Sequence, residues 1–166
     1  MQKKLDQWRA LTGDERWLLA GLVVLLPVIG VALRLLGFRR TYRLLGGSGG
    51  SAAGHAEVGE DRQSMAMRLA RLVHIASHHG PYTATCLRRS LALWWLLRRR
   101  GLPAQVRVGV GKDEDGVRAH AWVELMGRAI NDRPAIAEEY AVFRDLDRRL
   151  PRSLQTAGLE LITVVG

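Results

Sequence analysis

Residues 85–132 read TCLRRSLALWWLLRRRGLPAQVRVGVGKDEDGVRAHAWVELMGRAIND, and the order of patterns in this stretch decides the fold. The first part, 86–100, reads as a helix. Thr85 or Thr83 can cap its start, and Arg98, Arg99 and Arg100 suit the dipole at its end. Gly101 and Pro103 terminate it. The chain then changes period. Val106, Val108 and Val110 fall on one face of a strand over 105–110. A polar KDEDG loop follows, then strands over 117–124 and 128–132. Upstream, residues 61–79 carry a helical stripe of Met65, Leu69, Leu72, Val73 and Ala76, stopped by Gly80-Pro81. Helices beside an antiparallel sheet make an α+β fold. Downstream, residues 137–150 read as a helix or strand and 158–165 as a late strand; there is no internal repeat.

Cys86 opens the helix. Backbone N–H groups and the dipole at a helix N-terminus favour a thiolate, so a cysteine there is a candidate nucleophile. Alone, it also reads as a small buried apolar side chain. The hairpin downstream changes the balance. Leu125-Met126-Gly127 fits a three-residue loop, with Gly127 in the left-handed position. That register sets Glu124 opposite Arg128, Trp122 opposite Ile130 and His120 opposite Asp132, on one face. A carboxylate facing an imidazole fixes its tautomer and supports its charged form. Alone, the pair also reads as a structural hydrogen bond. Together the three residues supply a nucleophile, a base and an orienting group, in the order Cys, His, Asp. A thiolate–imidazolium pair attacks a carbonyl carbon, and His120 protonates the leaving amine. The Cys86 N–H is one expected oxyanion donor. The second is left open among Tyr82, Thr83 and Thr85.

Residues 85–110, followed by AHAWVELMGRAIND at 119–132, closely resemble the lasso-peptide maturation proteases, which are small transglutaminase-like cysteine proteases of bacterial peptide biosynthesis. The resemblance spans roughly residues 60–140. It rests on a Cys-Leu helix start, a Gly after that helix, a Gly-Val strand and the His-Ala-Trp-Val-Glu stretch, in that order. The apolar N-terminal region ending in RLLGFRR is a weaker likeness. The resemblance implies a papain/transglutaminase-like core, with Cys86, His120 and Asp132 as the catalytic residues and no cofactor. It implies removal of the leader from a ribosomally made precursor peptide. It also implies two protein partners, a separate leader-binding protein and an ATP-dependent cyclase. The rival readings are another acyl transfer on the same core, by an amidase or a transglutaminase, and a non-catalytic membrane-tethered scaffold that holds peptide.

The 166 residues allow one domain with an appendage. A single cysteine excludes an intrachain disulfide framework and any multi-thiolate metal site. Aromatics are only 6%, which supplies few base-stacking platforms. The net charge of +9 is spread along the chain and favours acidic peptides, phosphate or an anionic membrane; no nucleic-acid motif accompanies it. Residues 46–59, GGSGGSAAGHAEVG, read as a flexible linker. They divide an apolar helical segment, 1–45, from a protease domain, 60–166. Residues 17–33 carry no charge and span about 25 Å as a helix. Three readings stand for them: a membrane-inserted helix, a kinked helical hairpin packed on the domain or a partner, and a monotopic anchor. The location expected is cytoplasmic, with membrane contact through 17–33 and the segment dispensable for the catalytic core. His74, His78 and His79 read as an ordinary polar helix end, not a metal site. Arg88 and Arg89 read as a solvated face. Of Trp94 and Trp95, one belongs in the core and the other under the linker or N-terminal segment.

Overall fold

The computed structural model describes residues 12–46, 59–79, 84–113 and 116–142. Three helices come first: α1 over Gly13–Gly46, α2 over Glu60–His79 and α3 over Cys86–Arg99. Then follow β1 (Ala104–Asp113), β2 (Gly116–Leu125), β3 (Arg128–Ala129), a single turn α4 (Ile136–Glu139) and β4 (Ala141–Val142). The strands form one antiparallel sheet in the order β3-β2-β1-β4. The fold is α+β, as the periodicities imply. The linker residues 47–58, Gly80-Pro81 and the candidate strand 158–165 lie outside the described residues, as does 143–150 of the candidate element after 137.

α3 is the central element and touches α1, α2, β1 and β2. Its Leu91, Ala92, Leu93, Trp94 and Leu97 are at most 1% exposed, so it is buried nearly all round. The Trp94 Nε1–H donates to the Ala104 carbonyl at 3.1 Å, and Tyr42 of α1 stacks on its ring at 4.4 Å. Trp95 is half-buried beside α1. Alternation on the strands sends Val106, Val108, Ala121, Val123 and Leu125 into the same core.

Over residues 17–33 α1 is apolar on every side, and the structure uses the sides differently. Leu19, Leu22, Leu26, Ile29 and Leu33, spaced three and four apart, join the core cluster of α2 and α3. The opposite stripe, Trp17, Val24, Val28, Val31 and Leu35, is 55–81% exposed. Because α1 completes the core, the expectation that it is dispensable is replaced. The kink falls at Gly37 (φ 73°, ψ 172°), a conformation open mainly to glycine, while Pro27 sits inside continuous helix. Gly30 has its own reason: a Cβ there would lie 2.9 Å from Cζ of Arg88, whose guanidinium rests on the helix at that point. Arg88 is thus a packed residue, not part of a solvated face.

The hairpin differs from expectation by one residue. Leu125 pairs with Arg128 and Glu124 with Ala129, so the loop is Met126-Gly127 alone. Both residues have positive φ, 52° and 76°, and this tight turn matches the twist of the strands at a cost of about 1 kcal/mol for Met126. Glu124 consequently pairs not with Arg128 but with Arg107 across β1, at 2.8 Å, and accepts the Trp122 Nε1–H at 3.0 Å. Continued strictly, this register would set Arg133 opposite His120. The ladder stops first. The Ile130 N–H still reaches the Val123 carbonyl at 3.0 Å, but the Val123 N–H goes to the Asn131 side chain at 2.7 Å. The chain turns there, and Asp132 meets His120.

Candidate active site

Cys86 is the first residue of α3 and is 8% exposed. Thr85 takes the N-cap position with extended backbone angles, but its hydroxyl makes no capping bond, contrary to expectation. Tyr82 and Thr83 lie outside the described residues. His120 sits on β2 and Asp132 three residues past β3. Its Nε2 shares a 2.7 Å hydrogen bond with Asp132 Oδ2, which leaves Nδ1 for Cys86. Asp132 Oδ1 accepts the Arg133 N–H at 2.8 Å, so both carboxylate oxygens are held.

The electrostatics of the pair oppose burial. Desolvation alone would push the Cys86 thiol up. The hydrogen bond and charge of His120, the Ala121 N–H and the Arg89 charge outweigh it, and the thiol is held below its ordinary 9.0. Burial likewise would push His120 down. Hydrogen bonds to Cys86 and Asp132, and their charges, outweigh it and hold the imidazole above its ordinary 6.5. Each group favours the ionised form of the other. The arrangement can therefore present a thiolate with a proton donor beside it.

Amide cleavage, which uses both the thiolate and the imidazolium, then has two limbs. It is expected to rise as pH climbs through the lowered thiol value and to fall as pH climbs through the raised imidazolium value. Asp132→Asn removes one of the influences that raise His120, so the alkaline limb should move to lower pH. The pH profile of amide cleavage reads this, because cleavage needs the imidazolium as proton donor while alkylation of the thiolate does not; an alkaline limb unmoved in the variant would contradict it.

Two supports were not readable from local pattern. Ser90, one turn after Cys86 and fully buried, donates its hydroxyl to the Ala121 carbonyl at 2.9 Å. It accepts from Asn131 Nδ2 at 3.1 Å, while Asn131 Oδ1 takes the Val123 N–H. This bridge joins the helix of Cys86 to the neighbours of both His120 and Asp132. The second support is Tyr140. Its ring lies 5.3 Å from that of His120 and 6.2 Å from that of Trp122. Gly109 faces His120 across the ladder, and a Cβ there would lie 2.7 Å from Tyr140 Cβ; one on Gly111 would lie 3.1 Å from the Tyr140 ring. The two glycines make room for the aromatic ring. Tyr140→Ala is expected to lower kcat by about 10- to 100-fold through loss of His120 positioning, with Tyr140→Phe close to the parent. Equal loss in both variants would assign the effect to the hydroxyl.

Among the described residues, no group of His, Cys, Asp and Glu is arranged to hold a metal. The His74 and His78 rings lie 4.2 Å apart, tilted by 36°, and His78 Nδ1 bonds back to the His74 carbonyl at 2.9 Å. The family model described as the transglutaminase-like superfamily matches residues 32–145, a span that holds Cys86, His120 and Asp132. No curated protein and no solved structure matches the chain.

Proposed function

The chain belongs to the transglutaminase-like superfamily, and within it we propose that it is a cysteine peptidase that removes the leader from a ribosomally made precursor during lasso peptide biosynthesis. The observation that carries the chemistry is His120 held between Cys86 and Asp132 with both ionisations favoured. The finer assignment is supported by the ordered likeness of 85–132 to the maturation proteases.

In this reading the Cys86 thiolate attacks the scissile carbonyl carbon, and the negative charge develops on its oxygen. As the C–N bond breaks, His120 gives its proton to the leaving amine, which departs as the free N-terminus of the core peptide. The leader remains as a thioester on Cys86. His120, now neutral, takes a proton from water as it attacks the thioester carbon. The thiolate leaves, and the leader is released with a carboxylate end. Asp132 holds His120 and supports its charge in both halves.

The partners follow from the product. The freed amine suits an ATP-dependent cyclase, and leader recognition is assigned to a separate binding protein. We place the protein in the cytoplasm, in contact with a membrane along residues 17–33. The exposed apolar stripe of α1, with Arg34, Arg39 and Arg40 beyond it, supports contact along one face of a docked helix.

The test is incubation with the precursor peptide, with and without the leader-binding protein, followed by mass. Tethering raises the effective concentration of the cleavage site, to the millimolar range for a short flexible link. The partner should therefore raise kcat/KM, mainly at low substrate concentration. Equal kcat/KM in both conditions would contradict the two-protein arrangement. A thioester resolved only by an added amine, never by water, would replace the peptidase reading with acyl transfer. An unreactive Cys86 would favour the scaffold.

A further inference from the structure

Beside Asp132 the surface opens into a groove of about 360 Å³ between α2 and the end of the hairpin. Its floor is apolar, with Val73 and Ile130 buried beneath it. Its polar walls are unequal in charge. Arg71, Arg89 and the titratable His74 line it, against Asp132 and the neutral Asn131. Asp132 is already engaged by His120 and by the Arg133 N–H. Arg71 also feels Glu15 of α1, which pairs more closely with Arg68, at 3.8 Å. Arg89 is the telling residue. It lies three positions after Cys86 on the same helix, is half-buried, and has no salt bridge among the described residues. A guanidinium drawn out of water without an acid partner is costly, and a carboxylate is the ligand that offsets it best.

We propose that this groove is a subsite beside the scissile bond in which Arg89, with Arg71, takes the carboxylate of an acidic substrate residue. The proposal rests on the peptidase reading for the identity of the ligand, but the anion site itself does not depend on it. The apolar floor receives the methylenes of Asp or Glu and the neighbouring backbone. The planar fork of Arg89 offers paired donors to the two carboxylate oxygens. Asn and Gln match this shape without the charge, so discrimination between acid and amide is the signature.

Arg89 also lies near enough to favour the Cys86 thiolate, so a loss of rate in Arg89→Gln would not by itself identify a subsite. The experiment must cancel the thiolate fraction. Iodoacetate and iodoacetamide both react with the thiolate and differ in charge. The ratio of their rate constants at Cys86, normalised to the same ratio for free cysteine, reads attraction for a carboxylate; the His120 imidazolium contributes to it in parent and variant alike, so the difference between the two isolates Arg89. It is expected to be about tenfold higher in the parent than in Arg89→Gln, the scale of one charge-assisted hydrogen bond. An unchanged ratio in that variant would overturn the proposal.

The second arm is a peptide mixture with Asp, Glu, Asn and Gln varied at each position, digested in the presence of the full-length protein and read by mass. Enrichment of acid over amide at one position near the cut, lost in Arg71→Gln and Arg89→Gln, supports the subsite. Cleavage without acid preference overturns it. Absence of all cleavage beside an alkylation ratio that falls in Arg89→Gln would remove the peptidase reading and leave the anion site standing. Thermal melting of both variants guards against a folding defect.

Discussion

Cys86→Ala is expected to abolish the leader removal proposed above, by a factor on the order of 10⁴ or more, because no other described group in the site can take the place of the attacking atom. The effect on folding should be small. The side chain is compact, and its replacement removes one sulfur from a buried position, worth roughly 1 kcal/mol. Cys86→Ser should be nearly as inactive, since a hydroxyl beside His120 stays protonated where the thiol does not. Mass analysis of precursor after long incubation reads the first effect, and thermal melting the second. Parent-level cleavage by the alanine variant would remove Cys86 from the mechanism. Cleavage lost together with the cooperative melt would show a structural role instead.

Removal of residues 1–46 is expected to unfold the protein. Five side chains of α1 enter the shared core: Leu19, Leu22, Leu26, Ile29 and Leu33. At roughly 1.5–3 kcal/mol each, their burial contributes about 7–15 kcal/mol, the size of the whole stability of an ordinary domain. The truncation also strips the covering from α3, including the Tyr42 ring on Trp94. A single change makes the same point more gently: Leu26, fully buried, should cost about 2–5 kcal/mol as Leu26→Ala. Circular dichroism and denaturant titration of the truncated chain decide it. A cooperative transition like that of the full chain would show that α1 is an appendage after all.

How much could be read beforehand depended on the range of the interaction. α2, α3 and the first two strands announce themselves through short periods, because each buries one face against neighbours on the page of the sequence. The meeting of His120 with Asp132 was legible through a hairpin, although its loop is a residue shorter than expected. The reading survived because β3 ends at Ala129, and the turn at Asn131 brings back the residue that strict pairing would have displaced. Asn131 itself was overlooked. Its partners are Ser90, forty-one positions earlier, and a backbone N–H, and no local pattern marks either bond. Tyr140 escaped for the same reason, since β4 is only two residues long and gives no alternation to read. The two glycines of β1 were the available signal, as a place where a strand gives up its side chains to a visitor. α1 was ambiguous because all its faces are apolar, so composition could not say which one turns inward.

That uniformity raises the question of what prevents α1 from sliding along its neighbour, since one leucine resembles the next. The seat of Arg88 on Gly30 answers it. The glycine is a notch and the guanidinium a peg. A shift of one turn, about 5.4 Å, would drive the peg against Leu26 or Leu33, both buried side chains, with a charge pressed onto hydrocarbon. A rotation about the helix axis would lose the notch altogether. One glycine thus marks a register within the seventeen uncharged, interchangeable apolar residues 17–33, and a methyl group added at position 30 would first displace the flexible end of Arg88 and so erase that mark.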